Sequence, residues 1–224
     1  VIEAGAFRAL LNTAFVATTA TLTSLFFCAL GGYGFAKFRF PGQRTLFSFL
    51  VAWLVIPGAI MIVPTYVIMV KLGWTNSYWP LIVPGAANAF GIFFMRQYIS
   101  TVNDEIIDAA RIDGASEWRI YAQVVLPLAT PALAVLAIFS VMWRWNDFLW
   151  PLVLTRSAEA KTIMAGISAL QGQYNVAWAN QAAMAVIASI PTIVIFIVFQ
   201  RYFISGLTLG ADVYLPEPYY MEEL

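Results

Sequence analysis

The sequence predicts an all-α, polytopic membrane helix bundle, and two observations carry that prediction. The 224-residue chain is 61% hydrophobic and only 11% charged, with a mean hydropathy of +0.78. Ordinary soluble chains carry about 25% charged residues, and so few charges would leave wide apolar patches facing water. Five apolar stretches, at residues 10–35, 46–70, 79–98, 127–150 and 179–203, each reach the ~20 residues that cross a bilayer as helix. The runs are too long for strands and lack strict alternation.

Composition also excludes several functions. Net charge is zero, which gives no electrostatic reason for a nucleic-acid partner. With no histidine and a single cysteine, Cys28, disulfides, zinc clusters and most acid–base catalysis fall away. No glycine-rich phosphate loop ending in Gly-Lys-Ser/Thr occurs, so the chain is not expected to hydrolyse nucleotide itself. It begins at Val1, and a sixth span is expected upstream.

In the first stretch Ala20, Ser24, Cys28, Gly32 and Ala36 recur every four residues. Such a small-residue stripe lets another helix approach closely, and helix packing rather than reactivity is the role expected of Cys28. Pro57, Pro64, Pro84 and Pro191 fall inside stretches, where each removes a backbone bond and permits a kink. Lys37, Arg39, Arg44, Arg96, Arg111, Arg119 and Arg201 fall on one side of the bundle, and Arg8, Lys71, Arg156 and Lys161 on the other. The excess marks the first side as cytoplasmic and places the N-terminus of the chain outside.

Between the third and fourth stretches lies a compact charged segment, residues 101–126. Thr101 and Asp104 have capping-box spacing, and Asn103 is a competing cap. A short helix follows, with Ile106, Ile107, Ala109, Ala110 and Ile112 as apolar contacts and Gly114 as its stop. Ser116 can cap a second helix, in which Trp118, Tyr121, Ala122 and Val125 share one face. On physical grounds alone the segment fits an interfacial connector as well as a docking element for a soluble partner.

Polar groups within spans are candidates for a pathway. Asn88 lies mid-stretch among small residues, and Trp145, Asn146 and Asp147 lie near the outer end of the fourth stretch. Arg144 and Asp147 are spaced to pair. The alternative is an aromatic belt of Trp143, Trp145 and Trp150 with Arg144 snorkelling to the interface.

The segment "DAARIDGASEWRIYAQVVLPLATPAL" closely resembles the EAA loop of ABC-importer permeases. "FAKFRFPGQ" (35–43), "WNDFLWPL" (145–152) and "QRYFISGLTLGA" (200–211) are similar to signatures of the carbohydrate-type permeases of the maltose and glycerol-phosphate group. The resemblance covers nearly the whole chain. It implies a permease domain over 1–211 whose loop sits in a cleft of a cytoplasmic ATPase subunit. Glu105, Asp108, Ala109, Ala110, Asp113, Gly114 and Ala115 then serve in coupling. Asp108 departs from the family's glutamate, and Glu105, one turn earlier, is placed to compensate.

The implied partners are a second permease subunit, two ATPase subunits that hold ATP and magnesium, an extracellular solute-binding protein, a carbohydrate or polyol substrate and the lipid bilayer. No cofactor is implied in this chain. The implied location is a bacterial or archaeal plasma (inner) membrane, crossed several times. Read alone, the external segment 155–178 is a surface loop; the resemblance makes Gln171, Gly172, Gln173, Tyr174 and Asn175 contacts to the binding protein. The tail 212–224 is acidic and aromatic, unlike the short basic ending common in that group. The rival functions are an ion-driven secondary carrier and a structural membrane subunit.

Overall fold

The structure, a computed structural model, describes residues 2–155, 157, 159–169 and 178–208, and every regular element among them is helical. Helix α1 (Ile2–Lys37) runs unbroken for 36 residues. At 1.5 Å per residue that is about 54 Å, well beyond the ~30 Å hydrocarbon core of a bilayer. Its small-residue stripe permits close packing. Ala20, Ser24 and Cys28 are buried, and a Cβ on Gly32 would lie 2.6 Å from the Met95 Cβ and 2.8 Å from the Arg96 backbone nitrogen. A Cβ on Gly91 would lie 2.6 Å from Cys28 Sγ. The helix bearing Gly91 and Met95 therefore meets α1 at backbone contact distance.

The second stretch is not one rod. It is divided into α2 (Gln43–Trp53), a 3-10 turn (Gly58–Met61) and α3 (Ile62–Lys71), and it bends by 97°. Pro57 stands at the break, where it donates no hydrogen bond and disfavours helix in the residue before it. The third stretch is divided too, into α4 (Trp79–Ile82), a 3-10 turn (Val83–Gly85) around Pro84, and α5 (Ala89–Ile99). Asn88 caps α5, its side-chain oxygen accepting the Gly91 N–H at 2.7 Å, a strongly preferred residue in that role.

The charged segment forms α6 (Asp104–Ile112) and α7 (Glu117–Ile120). Asn103 rather than Thr101 caps α6: its Oδ1 accepts the Glu105 N–H at 3.0 Å, while the Thr101 hydroxyl turns back to the Tyr98 carbonyl. Gly114 ends the helix with φ of 80°, a conformation glycine adopts without strain. Ser116 caps α7 by accepting the Arg119 N–H.

The face expected to unite Trp118, Tyr121, Ala122 and Val125 is split. α7 passes into a π-helical turn (Tyr121–Val125) and then α8 (Leu126–Leu128). The wider turn shifts the register, so Ile120, Tyr121 and Val125 are buried while Trp118 and Ala122 are exposed.

The fourth stretch is interrupted at both ends. The run ending in α8 meets α9 (Thr130–Trp145) at 77°, and α10 (Leu149–Leu154) follows after residues 146–148. α11 (Ile163–Ala169) and α12 (Trp178–Thr208), with Pro191 inside it, complete the described elements. Among the described residues, helices α1 and α12 are long and apolar enough to span singly, and each bent pair, α2 with the run to Lys71 and Glu117–Leu128 with α9, has the length and composition of a broken span or a re-entrant loop.

The largest buried cluster joins Cys28, Ala29 and Tyr33 of α1 to Met95 and Ile99 of α5, Ile107 of α6, and Ile120, Tyr121 and Val125. One side of the charged segment thus belongs to the bundle core. Full burial of a side chain such as Ile107 or Ile120 contributes on the order of 1.5–3 kcal/mol.

Candidate functional site

The charged segment is braced against the C-terminal end of α1 at two points. The buried Lys37 ammonium donates to the Val102 carbonyl and to Asp104 Oδ1, each at 2.6 Å. The Tyr33 hydroxyl donates to Glu117 Oε2 at 2.9 Å. Arg111 then ties both sides of the Gly114 turn together, reaching Asp108 at 2.9 Å and Glu117 at 2.8 Å. Lys37 beside Asp104 holds that carboxyl below the usual carboxylate range. Arg111 does the same for Glu117.

Asp108 is therefore engaged within the segment, although its side chain remains mostly open to solvent. Glu105 is exposed and accepts from the Asn103 amide at 3.3 Å. Ala109 and Asp113 are exposed, while Ala110 and Ala115 are half-buried and linked by the Ala115 N–H to Ala110 carbonyl bond. Ile106, Ile112 and Trp118, which the sequence places among apolar contacts, are exposed at 46%, 87% and 63%. Ile106, Ala109 and Ile112, at three-residue spacing, share one exposed side of α6, and Trp118 is exposed on α7. Sequence reasoning missed Tyr33 and Lys37: their partners lie 84 and 67 positions away, beyond any local spacing signal.

The polar residues of the interior have different partners from those expected. Asn88 donates to Ser24 Oγ at 2.9 Å and to Cys28 Sγ at 3.5 Å while capping α5. Trp145 is buried and donates its indole N–H to the Ala188 carbonyl. Asn146 is exposed and donates to the Met142 carbonyl. Asp147 accepts the Trp150 N–H at the start of α10. Arg144 does not pair with Asp147. Its Nη1 donates to the Leu81 carbonyl at 3.2 Å, and its guanidinium fills the space where a Cβ on Gly85 would stand. The broken third stretch leaves a carbonyl to satisfy, and the arginine reaches inward to it rather than outward.

At the far end of α1, Asn12 donates to the Glu159 and Lys161 carbonyls at 2.8 and 2.9 Å and accepts from the Tyr78 hydroxyl at 2.8 Å. Thr13 Oγ1 accepts the Ile163 N–H at 2.8 Å. Gln171, Gly172, Gln173, Tyr174 and Asn175, like the tail 212–224, lie outside the described residues.

Helices broken at prolines, an Asn88–Ser24 bond between helices inside the bundle and a charged two-helix segment locked to one end define a helical membrane permease fold. Residues 25–208 match the family described as the binding-protein-dependent transport system inner membrane component, and the chain belongs to that family. It is 37% identical over 199 residues to the arabinooligosaccharides transport system permease protein AraQ of Halalkalibacterium halodurans, covering 89% of this chain and 71% of that protein. It is 34% identical over 202 residues to the sn-glycerol-3-phosphate transport system permease protein UgpE of Shigella flexneri, covering 89% and 72%.

Among solved structures it is similar to a chain of a bacterial ABC transporter involved in the import of the acidic polysaccharide alginate. The TM-score is 0.78 at 29% identity, over 88% of this chain and 75% of that one. The protein is accordingly a membrane-integral ABC transporter permease component and not an enzyme.

Proposed function

We propose that this chain is the membrane-spanning subunit of an importer for a carbohydrate or related polyol, working by alternating access and driven by ATPase subunits docked on residues 104–126. The observation that carries this reading is the construction of that segment. One side is built into the bundle core, and the other presents Ile106, Ala109, Ile112 and Trp118 among Glu105, Asp108 and Asp113. Capped helices with an apolar face fit docking into a groove of a soluble partner. The substrate class is supported by relatives named for arabinooligosaccharides and sn-glycerol-3-phosphate and by the alginate importer.

In this reading the end carrying α6 and α7 is cytoplasmic, in a bacterial or archaeal plasma membrane. A second permease subunit completes the pathway, two ATPase subunits hold the ATP and magnesium, and Gln171–Asn175 meet an extracellular solute-binding protein. Of the four pathway candidates Asn146 is the exposed one, whereas the polar atoms of Asn88 and Trp145 hold helices together and Asp147 caps the start of α10. An ion-driven carrier would be expected to use an acid within the membrane, and Asp147 instead serves the start of α10.

Gly114→Pro and Asp108→Arg test the assignment in the complex assembled with its ATPase subunits. Proline cannot adopt a φ of 80°, and arginine reverses the charge offered to the ATPase. Both variants should insert but lose transport and substrate-stimulated ATPase activity. Normal stimulation in both overturns the coupling assignment, and a chain that never copurifies with a nucleotide-binding subunit favours the carrier.

A further inference from the structure

We infer that α1 is a strut through which the coupling segment, gripped by Tyr33 and Lys37, sets the position of the outer segment 159–163, gripped by Asn12 and Thr13. The inference rests on the proposed coupling role of residues 104–126.

Three features carry it. The first is continuity. α1 contains no proline and runs 36 residues without interruption, whereas the second and fourth stretches bend by 97° and 77° and α12 contains Pro191. A bent or broken helix absorbs displacement at its break. An unbroken one, packed along α5 and α9, moves as a unit.

The second feature is burial at both ends. Tyr33 and Thr13 are only 3% and 1% exposed. They stand 20 residues apart, or ~30 Å along the helix. The Thr13–Ile163 bond joins two buried groups and is costly to leave unmade; at the inner end the buried Tyr33 hydroxyl and Lys37 ammonium each keep a partner, although Glu117 and Asp104 are themselves exposed.

The third is what the four side chains hold. Lys37 binds the backbone of Val102 as well as Asp104, and Tyr33 binds Glu117, the residue locked to Arg111 across the Gly114 turn. Asn12 holds the backbone carbonyls of Glu159 and Lys161, and Thr13 holds the Ile163 N–H. Both grips therefore fix the course of the chain, and the outer one lies just before α11. Tilting or sliding of α6 and α7 is delivered to residues 159–163 with little slack.

A merely stabilising role for these bonds would leave the two ends energetically independent, and a double-variant cycle separates the cases. The complex with its ATPase subunits, in lipid nanodiscs, carries Glu159→Cys in a Cys28→Ser background. Glu159 is exposed, and its labelling rate by a charged maleimide is compared between the nucleotide-free state and the state trapped with ATP and vanadate. Tyr33→Phe and Thr13→Val should each shrink the nucleotide-dependent change by about fivefold or more, the lower end of typical coupling factors. The double variant should lose no more than either single one, and Thr13→Ser, which restores the hydroxyl, should recover the response. Lys37→Met and Asn12→Leu repeat the test through independent bonds if either first variant fails to assemble.

Single variants that keep the full response, or losses that multiply in the double variant, overturn the strut. A wild-type complex that hydrolyses ATP without any change at position 159 also overturns it and leaves the proposed function standing. A Gly114→Pro complex with unchanged labelling response and stimulated ATPase overturns the proposed function instead.

Discussion

Trp145 and Ala188 are joined across the bundle: the indole N–H donates to the Ala188 carbonyl at 2.9 Å, and both residues are buried. Ala188 lies in the turn before Pro191, where the proline ring removes one helical bond and crowds the preceding carbonyls. The last residue of α9 thus ties to α12 one residue beyond Ile187, whose carbonyl is the one that Pro191 leaves without a helical donor. The aromatic-belt reading of the sequence accounts for Trp143, which is 74% exposed, but not for Trp145.

Trp145→Phe retains an aromatic ring and deletes the donor. The Ala188 carbonyl keeps its place in the helical bonding of α12, so losing the indole should cost about 0.5–1.5 kcal/mol, the net worth of one hydrogen bond, seen as a lower unfolding midpoint in detergent, with the KM for transport unchanged. A raised KM at unaltered stability would mean that the indole touches substrate.

Two glycines on α1, two residues apart, should respond with opposite sign. Gly32→Ala places a Cβ 2.6 Å from that of Met95 and 2.8 Å from the Arg96 nitrogen. Overpacking of this kind costs about 1–3 kcal/mol. At Gly34 an added Cβ meets nothing within 4 Å, so Gly34→Ala should stabilise by up to about 1 kcal/mol through helix propensity. Thermal unfolding of the two variants side by side checks the sign; equal effects would remove the close approach of α1 and α5 as the cause.

What could be read in advance was local. The helix ends at Gly114 and Ser116 follow from side-chain chemistry within three or four residues, as does the competition between Asn103 and Thr101, though not its outcome. The stripe from Ala20 to Ala36 announces a close helix contact but not that Gly91 and Met95 supply it. Helix breaks were less legible, because a proline's effect depends on where it falls. Pro64 sits in the first turn of α3 and is absorbed, whereas Pro57 marks a 97° bend. The π turn from Tyr121 to Val125 has no composition signal and redirects Trp118 outward. The pairs Tyr33–Glu117 and Lys37–Asp104 exist only once the helices are packed, so one sequence does not reveal them.

Acid should loosen the coupling segment before the bundle. Glu117 is held below its ordinary value by the bond from Arg111 first, with the Tyr33 hydroxyl adding to it. A carboxyl whose folded pKa is lowered contributes stability that is complete above its unfolded pKa, near 4.5, and lost as pH falls through the lower folded value. The stability difference between wild type and Glu117→Gln should therefore be constant near neutrality and shrink below about pH 4.5. Unfolding midpoints measured across that range check the slope, and a difference that grows on acidification would reverse the assignment. Exposure of the pair keeps the effect small.

Asn88 offers a test of whether a polar residue inside a span serves passage or packing. Its oxygen caps α5 at the Gly91 N–H, and its amide nitrogen donates to Ser24 Oγ and Cys28 Sγ on α1. One side chain thus starts the second half of a broken stretch and pins it to an unbroken helix. Asn88→Ser can keep the cap but not the reach to Ser24, and should cost about 0.5–1.5 kcal/mol, the net worth of one hydrogen bond. Asn88→Ala loses the cap as well, adding roughly 1 kcal/mol. Ser24→Ala should destabilise the wild type by more than it destabilises Asn88→Ala, because there the bond is already gone; partners in contact are not additive. If Asn88 instead binds substrate, Asn88→Ser will raise the KM for transport with the unfolding midpoint intact, and Ser24→Ala will have the same effect in both backgrounds.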